Sequence, residues 1–143
     1  MKPLKNFDEF VKSKVVRIAS SDKAKSDSLA KESEQSYLFL LEVEKSLGIH
    51  DNNANTLIKN AYDCLMEAIR SKMILEGYFS SGQGAHEAEV AYLRKLNISD
   101  SDVIFANQLR YYRNGILYYG KSFDAEYCRK VIKFVKKMKD LLK

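Results

Sequence analysis

The stretch of sequence that decides the fold is residues 54–77, ANTLIKNAYDCLMEAIRSKMILEG. Its apolar side chains recur at spacings of three and four, which places them on one face of an α-helix. These residues are Leu57, Ile58, Ala61, Cys64, Leu65, Ala68, Ile69 and Met73. The pattern predicts a core helix that begins near Ala54 and ends at Gly77, because glycine commonly terminates helices.

Similar patterns continue on both sides of this segment. They predict further helices over residues 7–18, 20–47, 86–96, 99–119 and 122–143. Strict alternation of apolar and polar residues, which would indicate a half-buried strand, does not persist anywhere. The sequence therefore predicts an all-α fold, an up-and-down antiparallel bundle of four to six helices.

The length of 143 residues fits one hydrophobic core, so a single domain over residues 1–143 is expected. An apolar share of 45% and a charged share of 30% are typical of a globular protein. Residues 1–19 are the weakest part of the pattern. Their short amphipathic helix either packs on the bundle or stays partly detached.

Export, membrane insertion and metal chemistry are not indicated. No amino-terminal apolar run follows the first basic residues, and no window approaches the roughly 20 apolar residues of a membrane-spanning helix. Cys64 and Cys128 lie in apolar helical patterns without close cysteine or histidine neighbours, which predicts reduced core residues. His86 with Glu87 and Glu89 is a weak metal candidate, since successive helical positions point in different directions. We expect a cytoplasmic protein without a metal or cofactor, in which His86 is a surface or capping residue.

The net charge is +5, and much of the positive excess falls in the last predicted helix. Its basic residues are Arg129, Lys130, Lys133, Lys136, Lys137, Lys139 and Lys143. A lysine-rich helix is either a solvated face or a contact surface for nucleic acid. If RNA binds, Lys133, Lys136 and Lys137 are expected to contact it together with Arg113.

Two carboxylates of the core helix, Asp63 and Glu67, are four residues apart and share a face, so they repel each other unless one is paired. The favoured interpretation pairs Glu67 with a neighbouring lysine or arginine. The alternative turns Glu67 into the bundle, where it needs a partner such as Arg113. In that case Glu67 is an orienting carboxylate of a functional site.

Residues 110–120, RYYRNGILYYG, combine two arginines and four tyrosines with a glycine inside a predicted helix. Gly115 costs about 1 kcal/mol relative to alanine in a helix interior, which indicates close approach of another helix, in this chain or in a second subunit. Arg113 and Asn114 are expected to border one surface patch. Arg110 and Tyr119 are further candidates for contact with a nucleotide or nucleic acid.

This segment carries a resemblance to a known family. Residues 113–118, RNGILY, resemble the Arg-Asn-x-x-x-His signature near the end of the penultimate long helix of HEPN domains, small helical bundles named for nucleotide binding. Residues 65–78 are similar to the helix that often precedes a loop and a histidine in that family, and His86 falls where such a histidine is common. The resemblance spans roughly residue 53 to the carboxyl terminus.

The resemblance implies a homodimer and, in active members, a metal-independent ribonuclease site across the dimer interface. There the arginine would stabilise charge on the scissile phosphate and the histidine would transfer protons. Arg113 and Asn114 match the signature, but Tyr118 occupies the histidine position, and a phenol with a pKa of about 10 is a poor base near neutrality. Members that pair with a minimal nucleotidyltransferase, as in toxin–antitoxin systems, often carry a tyrosine two residues after the histidine. That position is Gly120 here, with Tyr119 adjacent.

The leading hypothesis is a HEPN-like binding or regulatory subunit with a degenerate ribonuclease motif, acting with RNA, a nucleotide or a partner nucleotidyltransferase. The second is a metal-independent endoribonuclease whose altered dimer-interface site uses Arg113, Tyr118 or Tyr119, and Glu67. The third is a helical adaptor that binds proteins through its tyrosine-rich face.

Overall fold

The computed structural model describes residues 2–143, apart from the side chains of Leu117 and Tyr118. Its elements, in chain order, are α1 (Phe7–Lys12), β1 (Val16–Ile18), α2 (Lys23–Ser46), α3 (Ala54–Leu75), β2 (Tyr78–Ser80), α4 (Ala85–Tyr92), a 3₁₀ turn (Leu93–Leu96), α5 (Asp100–Tyr119) and α6 (Ala125–Leu141). The predicted all-α bundle is confirmed. Among the described residues, no helix is long and apolar enough to cross a membrane.

The core is built around α3, as its apolar face predicts. Ile58, Leu65 and Ile69 are fully buried, and α2, α4, α5 and α6 all pack against this helix. Burial of one such side chain stabilises the fold by roughly 1.5–3 kcal/mol. Because α3 contacts α2, α4, α5 and α6, polar side chains along α3 can meet side chains from all four helices.

Helices α2 and α3 run antiparallel. Along α2 and α3, Ser26 hydrogen bonds to the Ser71 carbonyl oxygen at 2.8 Å, and Ser33 to that of Cys64 at 2.7 Å. The residue numbers of the partners fall along α3 as they rise along α2, so the two helices run in opposite directions. Small hydroxyl side chains let the helices approach closely while their polar groups stay satisfied, which explains why the first half of α2 has few apolar residues.

The last two long helices have capping residues at or within two residues of their predicted starts. The Ser99 hydroxyl accepts a hydrogen bond from the Asp102 amide before α5, and the Asp124 carboxylate accepts one from the Tyr127 amide before α6. The long second helix starts slightly later than predicted, because Asp22 provides its N-cap. Aspartate and serine both satisfy free amides at helix starts, so the sequence alone did not separate these positions.

A two-stranded antiparallel ribbon was not predicted. The helix expected over residues 7–18 ends at Lys12, and Val16, Arg17 and Ile18 pair with Ser80, Phe79 and Tyr78. The segment between the helices predicted to end at Gly77 and to begin at His86 therefore begins with a strand. The ribbon forms because β2 is anchored by its side chains, with the Tyr78 ring 5.1 Å from that of Phe7 and 5.8 Å from that of Tyr92.

The amino-terminal segment packs on the bundle and is not detached. Phe7 and Phe10 are buried in the common core, at 3% and 5% exposure. The Arg94 guanidinium donates to the carbonyl oxygens of Leu4 and Lys5, which ties the chain to the end of the 3₁₀ turn.

Candidate functional site

Arg113 lies on the side of α5 that faces α3. Its Nη2 is 3.3 Å from Oδ1 of Asp63, and its Cζ lies over the Tyr62 ring, 5.4 Å from the centroid. The side chain is only 18% exposed, and its Nε is buried without a hydrogen-bond partner among the described residues. A guanidinium has five N–H donors, so this environment uses only part of its capacity to bind anions.

His86 is the second residue of α4 and approaches α3. Its Nδ1 lies 3.1 Å from the Tyr62 hydroxyl. Burial is the main cause that lowers the pKa of His86; the Glu89 carboxylate opposes this shift, while Arg70 and Arg113 add to it. Burial also raises the pKa of Tyr62, which keeps its phenol protonated. The result is a neutral imidazole held by a hydroxyl group.

These side chains border one open cavity of about 460 Å³, which we call the Arg113 basin. It is lined by Ser36 of α2, Asn60, Asp63, Met66, Glu67 and Arg70 of α3, His86 of α4 and Arg113 of α5. The sequence predicts Arg113 and Glu67 as site residues but treats His86 as a surface or capping residue. The structure brings all three to one cavity.

Glu67 does not have the partner that either sequence interpretation gave it. The carboxylate that pairs with Arg113 is Asp63, and Glu67 makes no ion pair within 4 Å among the described residues. The pKa of Glu67 is raised, mainly by burial and then by the carboxylates of Glu32 and Asp63, while Arg70 opposes the shift. The predicted repulsion between Asp63 and Glu67 is therefore present in the fold, and no cation within ion-pair distance compensates for it among these residues.

Sequence reasoning missed a buried ion pair at the edge of the basin. The Arg70 guanidinium donates two hydrogen bonds of 2.9 Å to the two carboxylate oxygens of Glu89, which also accepts from the Ser80 hydroxyl. The Glu89 side chain is 2% exposed. Hydrogen bonding to Glu89 raises the pKa of Arg70. This pair joins α3, α4 and β2 and so fixes the position of His86, one turn before Glu89.

Two other predicted residues, Asn114 and Tyr119, lie at a different cavity of about 800 Å³ between the end of α5 and the start of α6. Its lining is Tyr111, Tyr112, Asn114, Gly115, Tyr119, Lys121, Ser122, Phe123, Asp124 and Tyr127. Arg113 and Asn114 therefore line separate cavities and do not border one patch. The side chain of Tyr118, the third motif residue, lies outside the described residues.

Two other residues of the 110–120 segment have partners within the chain. A Cβ added to Gly115 would lie 3.5 Å from Cγ of Lys121, so within this chain the neighbour of the glycine is a side chain of the α5–α6 connection and not another helix. Arg110 donates from Nε to Asn107 at 3.1 Å, and its Nη1 is 3.9 Å from Glu87. Arg110 is thus held on α5 and α4 and is not among the residues that line the basin.

Part of the predicted basic face of α6 is neutralised by carboxylates from other helices. Lys136 pairs with Glu44 at 2.7 Å, and Lys137 pairs with Asp102 at 3.0 Å. Of the three lysines expected to contact RNA, only Lys133 is exposed without an ion pair among the described residues. These acids lie on α2 and α5, far away in sequence, so the charge pattern of α6 alone does not reveal them.

Both cysteines are buried and free, as predicted. Burial raises the pKa of both thiols, which suits inert core residues. Within the described part of the chain, no three histidine, cysteine, aspartate or glutamate side chains are placed to hold a metal ion. In the weak candidate cluster near His86, the Glu89 carboxylate is engaged by Arg70 and Ser80.

No family model matches the sequence, and no curated protein matches it either.

Proposed function

We propose that this chain is a HEPN-like binding or regulatory subunit that recognises a phosphate group of RNA or of a nucleotide in the Arg113 basin. The observation that carries this proposal is the state of Arg113: a largely buried guanidinium with one long ion pair, an Nε without a partner, and a neutral histidine in the same cavity. Guanidinium groups bind phosphate oxygens through charge-assisted hydrogen bonds, which supports this choice of ligand.

The Asp63 carboxylate is the group that a phosphate has to displace. Its side chain is 52% exposed and its contact with Arg113 is 3.3 Å long. Exposed ion pairs typically contribute only about 0.2–1 kcal/mol. A phosphate with one or two negative charges can therefore replace this carboxylate, and its binding should weaken as salt is added.

Calorimetric titration with AMP and with adenosine at low salt tests phosphate recognition directly. We expect AMP to bind more tightly than adenosine and Arg113→Gln to remove the difference. The matched control is Arg129→Gln, which removes the same charge from α6, where the guanidinium bonds only weakly to the Ile49 carbonyl at 3.4 Å. Equal AMP binding by the Arg113 variant and the native protein would contradict the proposal and favour the adaptor hypothesis.

The homodimer is part of the same proposal. On α5, Ile104 and Tyr111 are 59% and 55% exposed and lie two turns apart on one side of the helix, as expected for a symmetric helix contact. Light scattering should show a dimer that Ile104→Lys converts to a monomer. Leu38→Lys on α2, where Leu38 is 56% exposed, should leave the dimer intact. A minimal nucleotidyltransferase is the protein partner that the resemblance suggests.

A second candidate function, metal-independent RNA cleavage, is favoured by the position of His86. In this reaction His86 would take the proton of a ribose 2′-hydroxyl, whose oxygen attacks the neighbouring phosphorus while the bond to the 5′-oxygen breaks. Arg113 would stabilise the charge on the phosphate, and water would protonate the departing oxygen. The products are a 2′,3′-cyclic phosphate and a free 5′-hydroxyl. His86 would then supply the titrating group that Tyr118 lacks.

Incubation with labelled RNA in a chelating buffer separates the two candidates. Cleavage that ends in a 2′,3′-cyclic phosphate and disappears in both His86→Ala and Arg113→Gln would establish the second candidate. The binding proposal expects negligible cleavage in all three proteins. Cleavage that persists in both variants identifies a contaminating nuclease.

A further inference from the structure

The segment that contains β1 and the start of α2 carries several cations without ion pairs to the described part of the chain. Residues 2–25 contain a dense set of cations: Lys2, Lys5, Lys12, Lys14, Arg17, Lys23 and Lys25. The carboxylates in the same stretch are only Asp8, Glu9 and Asp22. Asp8 pairs with Lys95, and Lys23 pairs with Asp27. Among the described residues, Lys14, Arg17 and Lys25 make no ion pair within 4 Å, in contrast to Lys136 and Lys137 of α6.

Two of these cations are held together over one aromatic ring. Arg17 and Phe79 are directly paired across the ribbon, and the Arg17 Cζ lies 5.1 Å from the Phe79 centroid. Lys25 Nζ, from the start of α2, lies 5.8 Å from the same centroid. Neighbouring residues of a strand point to opposite faces, so Tyr78 and Ser80 face the core while Phe79 faces outward. We call Arg17, Lys25 and Phe79 the ribbon patch.

We propose that the ribbon patch binds the sugar–phosphate backbone of single-stranded RNA next to the Arg113 basin. This inference rests on the proposed function, because it takes RNA as the ligand. The patch and the basin meet at one set of contacts: Ser80, beside Phe79, bonds to Glu89, which pairs with Arg70 in the lining of the basin. Ser80, Glu89 and Arg70 thus connect β2 to the lining of the basin.

The chemistry of the patch favours single-stranded nucleic acid over a membrane surface. Phe79 is partly buried and Arg17 and Lys25 lie over its ring, so this ring is not free to insert between lipids. A guanidinium offers a planar face on which an unpaired base can stack, while an ammonium group can contact phosphate.

The test measures RNA affinity against salt concentration. The ligand is a labelled single strand of roughly 12 uridines, which is within the usual length of such sites. The Arg17→Gln, Lys25→Gln double variant is compared with Lys31→Gln, Lys45→Gln on α2, which loses the same charge at exposed positions that have no assigned role. Each lost phosphate contact on a single strand lowers the slope of log affinity against log salt by about 0.7, so the ribbon variant should lose about 1.4. The α2 variant should keep the native slope.

Two results would overturn the inference: an unchanged slope in the ribbon variant, or an equal loss in both variants, which indicates a general charge effect. The inference would also be overturned if the native protein does not bind the RNA but binds phosphatidylserine vesicles, which would indicate a membrane surface as the ligand. AMP titration separates this inference from the basin. The ribbon variant should bind AMP normally, whereas Arg113→Gln should not. If native protein binds RNA through the ribbon but fails to bind AMP, the basin proposal fails and the ribbon inference stands.

Discussion

Replacing Glu89 with leucine removes a carboxylate that is 2% exposed and that accepts two 2.9 Å hydrogen bonds from Arg70. Breaking a buried pair typically costs 3–5 kcal/mol, because the remaining charge has lost its partner. Arg70 keeps 29% of its side chain exposed, so part of its charge can be solvated after the change. We therefore expect Glu89→Leu to lower the free energy of unfolding by about 3 kcal/mol. For a chain of this length that corresponds to a fall in Tm of roughly 10 °C.

Replacing Arg70 should lower the free energy of unfolding more than replacing Glu89 does. Arg70→Met leaves the more deeply buried charge, that of Glu89, without its partner, and we expect a loss of about 4 kcal/mol. The double variant replaces both charges by apolar side chains, which is often close to neutral for buried pairs. It should therefore be more stable than either single variant. Urea unfolding followed by far-ultraviolet circular dichroism measures all three.

Additive losses would refute this account of the pair. If the double variant loses the sum of the two single losses, Arg70 and Glu89 stabilise the fold through separate contacts. A loss below about 1 kcal/mol for Glu89→Leu would place the pair with ordinary surface ion pairs. Either result would also remove the reason given for the position of His86, which depends on how α4 is fixed to α3.

Three further predictions concern pH and the backbone. Burial holds the pKa of His86 below its ordinary value of 6.5. Near and below pH 6.5 the unfolded chain therefore binds more protons at this residue than the folded chain does. The free energy of unfolding should fall as the pH drops below about 6.5. Unfolding of His86→Gln in urea at pH 7.5 and pH 5.5 should show a smaller fall than the native protein. Glu67→Gln should raise the free energy of unfolding at pH 7 by about 0.2–0.5 kcal/mol, since it relieves repulsion with Asp63 and the folded state disfavours the charged carboxylate. In thermal unfolding, Gly77→Ala should lower the stability by about 3 kcal/mol, because Gly77 has a positive φ of 86° and an added Cβ would collide with the Ala19 carbonyl. Gly82→Ala should lower it by only about 1 kcal/mol, because Gly82 has a φ of 74° but open space around it.

The parts of the fold that local sequence determines were predictable. The apolar face of α3 and the starts of α5 and α6 depend on residues within a few positions of each other, and the structure has them at or close to the predicted positions. The ribbon was not predictable in this way. Its strands are three residues long, and Val16 pairs with Ser80, 64 positions later in the chain. Such short strands form only where side chains such as Tyr78 find partners in the core.

In the candidate site, too, features that depend on local sequence were predictable, and features that depend on distant parts of the chain were not. Arg113 and Glu67 were found from the sequence, because helical spacing and an unusual composition single them out. The neighbours that define their chemistry come from other helices: Asp63 pairs with Arg113, and Tyr62 holds His86. The charge of α6 shows the same limit, since a count of lysines does not reveal the acids of α2 and α5 that neutralise Lys136 and Lys137.

The AMP affinity of Asp63→Asn tests most directly the central claim that the Arg113 basin receives a phosphate. The substitution removes the carboxylate that competes for the guanidinium but keeps a side chain of the same shape. If Arg113 binds the phosphate, AMP should bind more tightly to Asp63→Asn, by roughly two- to five-fold, the equivalent of an exposed ion pair. Weaker or unchanged AMP binding by Asp63→Asn, in a protein that unfolds like the native one, would contradict the claim.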